Sequence, residues 1–219
     1  WAGRKVDSAG SAFFNDVWAY DIGSNSWSEL ETEEPRPNTR YGTAAVFDPV
    51  AGDLVTFAGF TDAGRFEDTW RFDPRAGAWT EISPAEGNPG RRCLHSASYD
   101  AARHRMIIYG GQRSGPLDDI WALDLTTQRW TELGPAERQG GRFYTAHVYD
   151  AGNDRVLVFG GNLGSPGLSN ELWSFELEAQ AWALLEPMGE PPAPREGATA
   201  IFLEEQGRLV VFGGTAASH

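Results

Sequence analysis

The sequence predicts an all-β propeller made of repeated four-stranded antiparallel blades. Two regularities predict it. Eight of the nine tryptophans fall in pairs nine residues apart: Trp18 and Trp27, Trp70 and Trp79, Trp121 and Trp130, Trp173 and Trp182, with successive pairs 51 or 52 residues apart. An arginine leads each unit (Arg40, Arg92, Arg142, Arg195), and the second member of a small pair (Gly59, Gly111, Gly161, Gly214) follows nineteen residues later in all four units. Self-similarity of this kind marks a repeat array, in which each unit buries its apolar faces only against its neighbours.

Each unit reads as four short strands. Strand a follows the arginine, is rich in Gly, Ala, Ser and Thr, and closes on an aromatic: Phe47, Tyr99, Tyr149, Phe202. Strand b is an unbroken apolar run (54–57, 106–109, 156–159, 209–212), which requires cover on both faces. Strand c alternates, with Trp70 and Phe72 on one face and Thr69 and Arg71 on the other. Strand d begins at the second tryptophan and turns polar, as in Trp79-Thr-Glu-Ile82, which suits an outer edge. Such a sheet has two apolar faces, and radial packing of several buries both.

The chain enters and leaves the repeat at the same point. Residues 40–82, 92–133 and 142–185 are whole units, 4–34 supply strands c and d, and 195–214 supply a and b. A closed four-bladed ring is therefore expected over 1–219, its last blade joining the N-terminal c–d pair to the C-terminal a–b pair. The rivals are a piece of a larger ring and two chains completing an eight-bladed one. Trp1 aligns with the aromatic that ends strand b, so all nine tryptophans belong to the repeat.

The 219 residues are 41% hydrophobic and 12% aromatic, which excludes a disordered tail. A net charge of −13 argues against nucleic acid or an anionic membrane as partner. No apolar run approaches the ~18 residues of a membrane span. The single cysteine, Cys93, excludes an internal disulfide and a multi-cysteine zinc site.

The pattern Arg…(Val/Ile)-(Phe/Tyr)-Gly-Gly…(Asn/Asp)-Asp-x-Trp-x-x-Asp…Trp-(Ser/Thr)-Glu-Leu resembles the Kelch repeat, over essentially the whole chain and in four copies. The resemblance implies a Kelch-type β-propeller. Local departures are Ala58 in place of the first glycine, and Leu203 and Glu176 in place of aspartates.

Strand alternation places the short a–b and c–d turns on one face and the longer d–a and b–c connections (5–14, 31–39, 60–66, 83–91, 112–117, 134–141, 162–169, 186–194) on the other. Variable loops on a rigid scaffold are where binding is usually built. Arg40, Arg92, Arg142 and Arg195 begin strand a on that face. As a ring at the channel mouth they would hold an anion. An acid two residues before each strand-c tryptophan (Asp16, Asp68, Asp119, Glu171) offers each a structural ion pair instead, and this reading is preferred because the feature serves every repeat. Phe13, Phe14, Phe60 and Phe66 lie in the same connections and are candidate partner anchors, with Phe66 close enough to strand c to fall under its own loop.

His95 and His147 lie on strand a at different depths and read as hydrogen-bonded core residues, since a metal needs three or four ligands. Cys93 reads as a small buried hydrophobe, and the acidic run 29–34 as a solvated loop. No catalytic residue, metal or cofactor is expected. The functional expectation is a non-enzymatic module, a monomer in solution by the closed-ring reading, that presents the d–a and b–c face to a protein or peptide. The alternatives are a carbohydrate or small-ligand enzyme at the channel mouth, and a structural fragment of a larger propeller.

Overall fold

A computed structural model describes residues 3–7, 10–134, 139–165 and 167–216; Trp1 lies outside them. Among the described residues the regular structure is strand throughout, apart from one 3₁₀ turn at Glu204–Gln206. The chain divides into two compact units, 1–93 and 94–219.

The first unit opens with a hairpin of β1 (Gly3–Asp7) and β2 (Gly10–Phe14), followed by a two-stranded sheet of β3 (Val17–Asp21) and β4 (Ser26–Leu30). A four-stranded antiparallel sheet follows in the order β5 (Ala44–Asp48), β6 (Asp53–Thr61), β7 (Gly64–Asp73) and β8 (Ala78–Glu81). Its strand-c and strand-d aromatics, Trp70, Phe72 and Trp79, are buried together with Val17 of β3. Trp70 and Trp79 thus fill the space between this sheet and the sheet before it.

The second unit holds two more four-stranded sheets: β9 (Ser96–Asp100) to β12 (Arg129–Glu132), with β10 (Arg105–Tyr109) and β11 (Ile120–Asp124) between them, and β13 (Ala146–Asp150), β14 (Arg155–Phe159), β15 (Leu172–Glu176) and β16 (Ala181–Leu185). A core of Ile107, Tyr109, Ile120, Val156, Val158 and Phe175 lies between them. Trp182 covers it, with ring centroids 5.1 Å from Tyr109 and 4.9 Å from Phe175. The unit ends with β17 (Arg195–Glu196) paired to β20 (Thr215–Ala216), and a two-stranded sheet of β18 (Thr199–Leu203) and β19 (Arg208–Phe212).

One backbone contact explains the fixed arginine-to-glycine spacing. The N–H of the second small residue in each repeat donates to the carbonyl of the next repeat's arginine: Gly59 to Arg92 at 3.0 Å, Gly111 to Arg142 at 3.0 Å and Gly161 to Arg195 at 2.8 Å, with Gly3 to Arg40 at 3.1 Å following the same rule. The first glycine must be bare because the same carbonyl passes close by. A Cβ on Gly160 would sit 2.7 Å from the Arg195 oxygen, and one on Gly110 would lie on the Arg142 oxygen. Ala58, the exception, holds a left-handed φ of 56°, a conformation that costs a side-chain-bearing residue roughly 1 kcal/mol.

Two connections read as irregular loops are strands. The 5–14 segment is the β1–β2 hairpin, and 60–66 is a continuation of β6 and β7 past a bulge between Phe57 and Gly59. Gly64, at φ of 137°, pairs with Thr61 and closes the turn at Asp62 and Ala63.

The sheet aspartates anchor the opposite turns. Asp48, Asp100 and Asp150 are fully buried. Asp48 Oδ1 accepts from the backbone N–H of Val50 and Ala51, Asp100 accepts from Arg105 Nε at 2.7 Å, and Asp150 from Arg155 Nε at 2.9 Å. Leu203 stands at the matching place in β18, where the 3₁₀ turn replaces the carboxylate-held turn.

Candidate functional site

Three of the four repeat arginines are interior groups. Arg40, Arg92 and Arg142 have 0%, 0% and 1% of their surface exposed. Arg40 makes a two-pronged pair with Asp68 at 2.7 and 2.8 Å, donates to the carbonyls of Asn38 and Ala58 at 3.0 Å each, and lies 4.3 Å from the centre of the Phe66 ring. Arg142 donates to Glu171 at 3.1 Å and to the Gly160 carbonyl at 3.3 Å. Arg92 donates to the carbonyls of Pro89 and Gly90. These guanidinium groups tie strand a to the b–c crossing, and their burial leaves no surface for an anion at those three positions. Arg195 differs: it donates to the carbonyls of Ala193 and Gly213 at 3.0 Å each, and no carboxylate pairs with it among the described residues.

The matched acids have a second task that the sequence reading missed. The indole N–H of each strand-c tryptophan donates to the acid two residues before it: Trp18 to Asp16, Trp70 to Asp68, Trp121 to Asp119 and Trp173 to Glu171, at 2.6 to 2.9 Å. Trp173, and with it Arg142, hold the Glu171 carboxyl below the usual carboxylate range. The i, i+2 spacing that places Trp and acid on one strand face was the available signal.

The remaining ionisable candidates are interior too. Burial pushes the Cys93 thiol up, against the pull of Arg65, whose Nε lies 3.3 Å from the sulfur. The thiol is therefore held protonated and is a poor nucleophile. The ring nitrogens of His147 are buried, and that burial lowers its pKa to about 4 despite a favourable backbone contact from Ala97. His95 is buried as well. Among the described residues no three His, Cys, Asp or Glu side chains gather as a metal set.

The phenylalanines separate into two groups. Phe66 is stacked on Arg40 and belongs to the scaffold. Phe13 and Phe60 meet edge to face at 6.3 Å, and Tyr41 meets Phe60 in the same way at 5.5 Å. Arg4 lies 5.8 Å above Phe13, and Phe14 beside it is exposed. This half-exposed aromatic patch joins the β1–β2 hairpin, near its open end, and the β6–β7 hairpin to the start of strand a, all in the first unit. Tyr41 and Arg4 are its unforeseen members. Next to it a cavity of about 350 Å³ lies between the β6–β7 hairpin and the d–a connection, lined by Arg65, Phe66, Glu67, Asp68 and Arg91. Arg91 and Glu67 pair at 3.2 Å on its rim. The acidic run does not simply hang in solvent: Glu29, Glu31 and Glu33 line a second groove with Asp16 and Arg36.

The model of the KLHDC2/KLHL20/DRC7 Kelch-repeats domain matches residues 1–149. The chain belongs to the Kelch-repeat family. Among curated proteins it is similar to Kelch domain-containing protein 3 of Bos taurus, 29% identical over all of this chain and 58% of that protein, and to the Homo sapiens form at 28% with the same coverage. Acyl-CoA-binding domain-containing protein 5 of Arabidopsis thaliana is 29% identical over 90% of this chain and 31% of its own length. The Kelch chain described here thus spans little more than half the length of the animal relatives. Kelch-repeat domains generally mediate protein–protein contact, and among the described residues no helix is long and apolar enough to cross a membrane.

Proposed function

We propose that this Kelch chain is a non-enzymatic binding module that takes a protein or peptide on the aromatic patch of Phe13, Tyr41 and Phe60. The observation that carries the reading is the patch itself. Three aromatic side chains meet edge to face, Phe13 from β2, Phe60 from β6 and Tyr41 from the start of strand a, half exposed, with a cation on the rim and a mixed-charge cavity alongside. Aromatic and arginine side chains on a rigid support dominate binding energy at protein interfaces, and strands fix their positions better than loops do. The buried arginines and the protonated Cys93 support the scaffold that carries the patch.

A displayed peptide library selected against the chain tests this. Selected peptides are expected to lose about tenfold or more in affinity with Phe60→Ala or Phe13→Ala. Val50→Asp, at an exposed a–b turn on the opposite end of the same blade, is expected to leave binding unchanged. Peptides that respond to Val50→Asp and ignore both phenylalanines would place the binding surface elsewhere.

A further inference from the structure

The outer strand of the third four-stranded sheet breaks a pattern that the other units keep. Strand d reads Ser26-Trp-Ser-Glu29, Ala78-Trp-Thr-Glu81 and Arg129-Trp-Thr-Glu132, but Ala181-Trp-Ala-Leu184 in β16. A hydroxyl and a carboxylate give way there to two apolar side chains. β16 is last in its sheet, and among the described residues no strand pairs with its outer side. Ala181, Ala183 and Leu184 are exposed, Leu184 by 45%. An edge with free backbone donors and acceptors, apolar side chains and no charge is a template for another strand. In β8 and β12 the exposed Glu81 and Glu132 hold the place that Leu184 takes here, and a charge on the edge guards against such pairing.

Charge around that edge selects the occupant. From Val156 to Pro194 the chain has no Lys, Arg or His, and it carries five acids: Glu171, Glu176, Glu178, Glu186 and Glu190. Glu171 is engaged by Arg142 and Trp173, and Glu176 accepts from the Ser174 hydroxyl at 2.8 Å. Glu178 and Glu186 are exposed and bracket β16, one in the turn that enters it and one directly after it. A second copy of this edge would add acids to acids with no base between them, which costs binding energy. We propose that β16 takes an extended basic segment of a partner protein as a fifth strand, with apolar residues against Ala183 and Leu184 and Lys or Arg beside Glu178 and Glu186. In this mode main-chain hydrogen bonds supply affinity and the side chains supply selectivity. The surface belongs to the second unit and does not rest on the aromatic patch of the first.

The probe is a capped peptide of roughly nine alternating valine and lysine residues, long enough to span the five residues of β16. It is expected to bind, and amide hydrogen exchange is expected to slow at residues 181–185. Leu184→Lys, at an exposed position, is expected to weaken binding about tenfold or more. Val50→Lys makes the same change in net charge at an exposed turn of the first unit and is expected to leave affinity unchanged. The same peptide N-methylated at every residue keeps its charges, loses its donors and is expected not to bind. Equal losses from the two lysine variants, or binding that survives N-methylation, would reduce the contact to bulk attraction by an acidic chain and overturn the proposal. No binding would overturn it as well, and slowed exchange at Phe13, Tyr41 and Phe60 instead would move the peptide to the aromatic patch. A chain that runs at twice 24.0 kDa and returns to one copy with Leu184→Lys would replace the basic segment by a second copy.

Discussion

Phe175 and Tyr20 occupy the same place in the repeat and live in different surroundings. Phe175 is sealed between two sheets of the second unit, while Tyr20 stands on a two-stranded sheet with solvent on its outer side. Their sequences are alike, aromatic two residues after a tryptophan and before an acid. What differs is whether a neighbouring sheet covers them. Burial of this position thus depends on the neighbouring sheet, and the same place in the repeat is sealed in one sheet and exposed in another.

The largest contrast should come from removing those two rings. Phe175→Ala is expected to cost about 3–5 kcal/mol in urea unfolding, and Tyr20→Ala less than about 1 kcal/mol in dilute protein, since it opens no cavity. Equal losses would show that the terminal sheet is covered after all. The arginines sharpen the same contrast. Arg40→Ala strips a buried two-pronged pair from Asp68 and is expected to cost roughly 3 kcal/mol, against about 0.5 kcal/mol for Arg195→Ala, whose bonds are exposed.

A pH titration probes the covered side through His147. The folded state holds the pKa of His147 near 4, below its ordinary value of 6.5, so protonation favours unfolding. Its contribution is complete above about pH 6.5 and is lost as pH falls toward 4, by about 2–3 kcal/mol. His147→Gln is expected to flatten the stability profile over that window; an unchanged slope would assign it to the carboxylates. The smallest effect is a repair. Leu203→Asp restores the turn carboxylate beside Arg208 that Asp150 provides beside Arg155, and is expected to raise the melting temperature through about 0.5 kcal/mol, a surface ion pair's worth.

The order of strands within a repeat and the pairing of Arg40 with Asp68 were legible in the sequence because the repeat writes each of them several times. Four copies of one spacing leave little freedom of register. The functional patch was only half legible. Phe13 and Phe60 were picked out as aromatics in variable segments, but Tyr41 sits next to a repeat arginine and looked like strand a, and Arg4 has no counterpart in the other units. Phe66 lies in the same kind of segment but close to strand c, and there Arg40 takes its ring. Residues that occur once are not underwritten by periodicity, and their neighbours become known only when the hairpins are folded.

The glycine-to-arginine hydrogen bond has a consequence for how such chains are enlarged. It begins in one repeat and ends in the next, so its two halves are always encoded about 33 residues apart, on either side of a blade boundary. A gene duplication that copies any stretch of 51 or 52 residues copies one donor and one acceptor, whatever its starting point. The inserted blade arrives with a link for each neighbour, and no new contact has to be invented. Lengthening the array is in this sense a splice rather than a design problem, and the register of the splice is set by a single backbone amide.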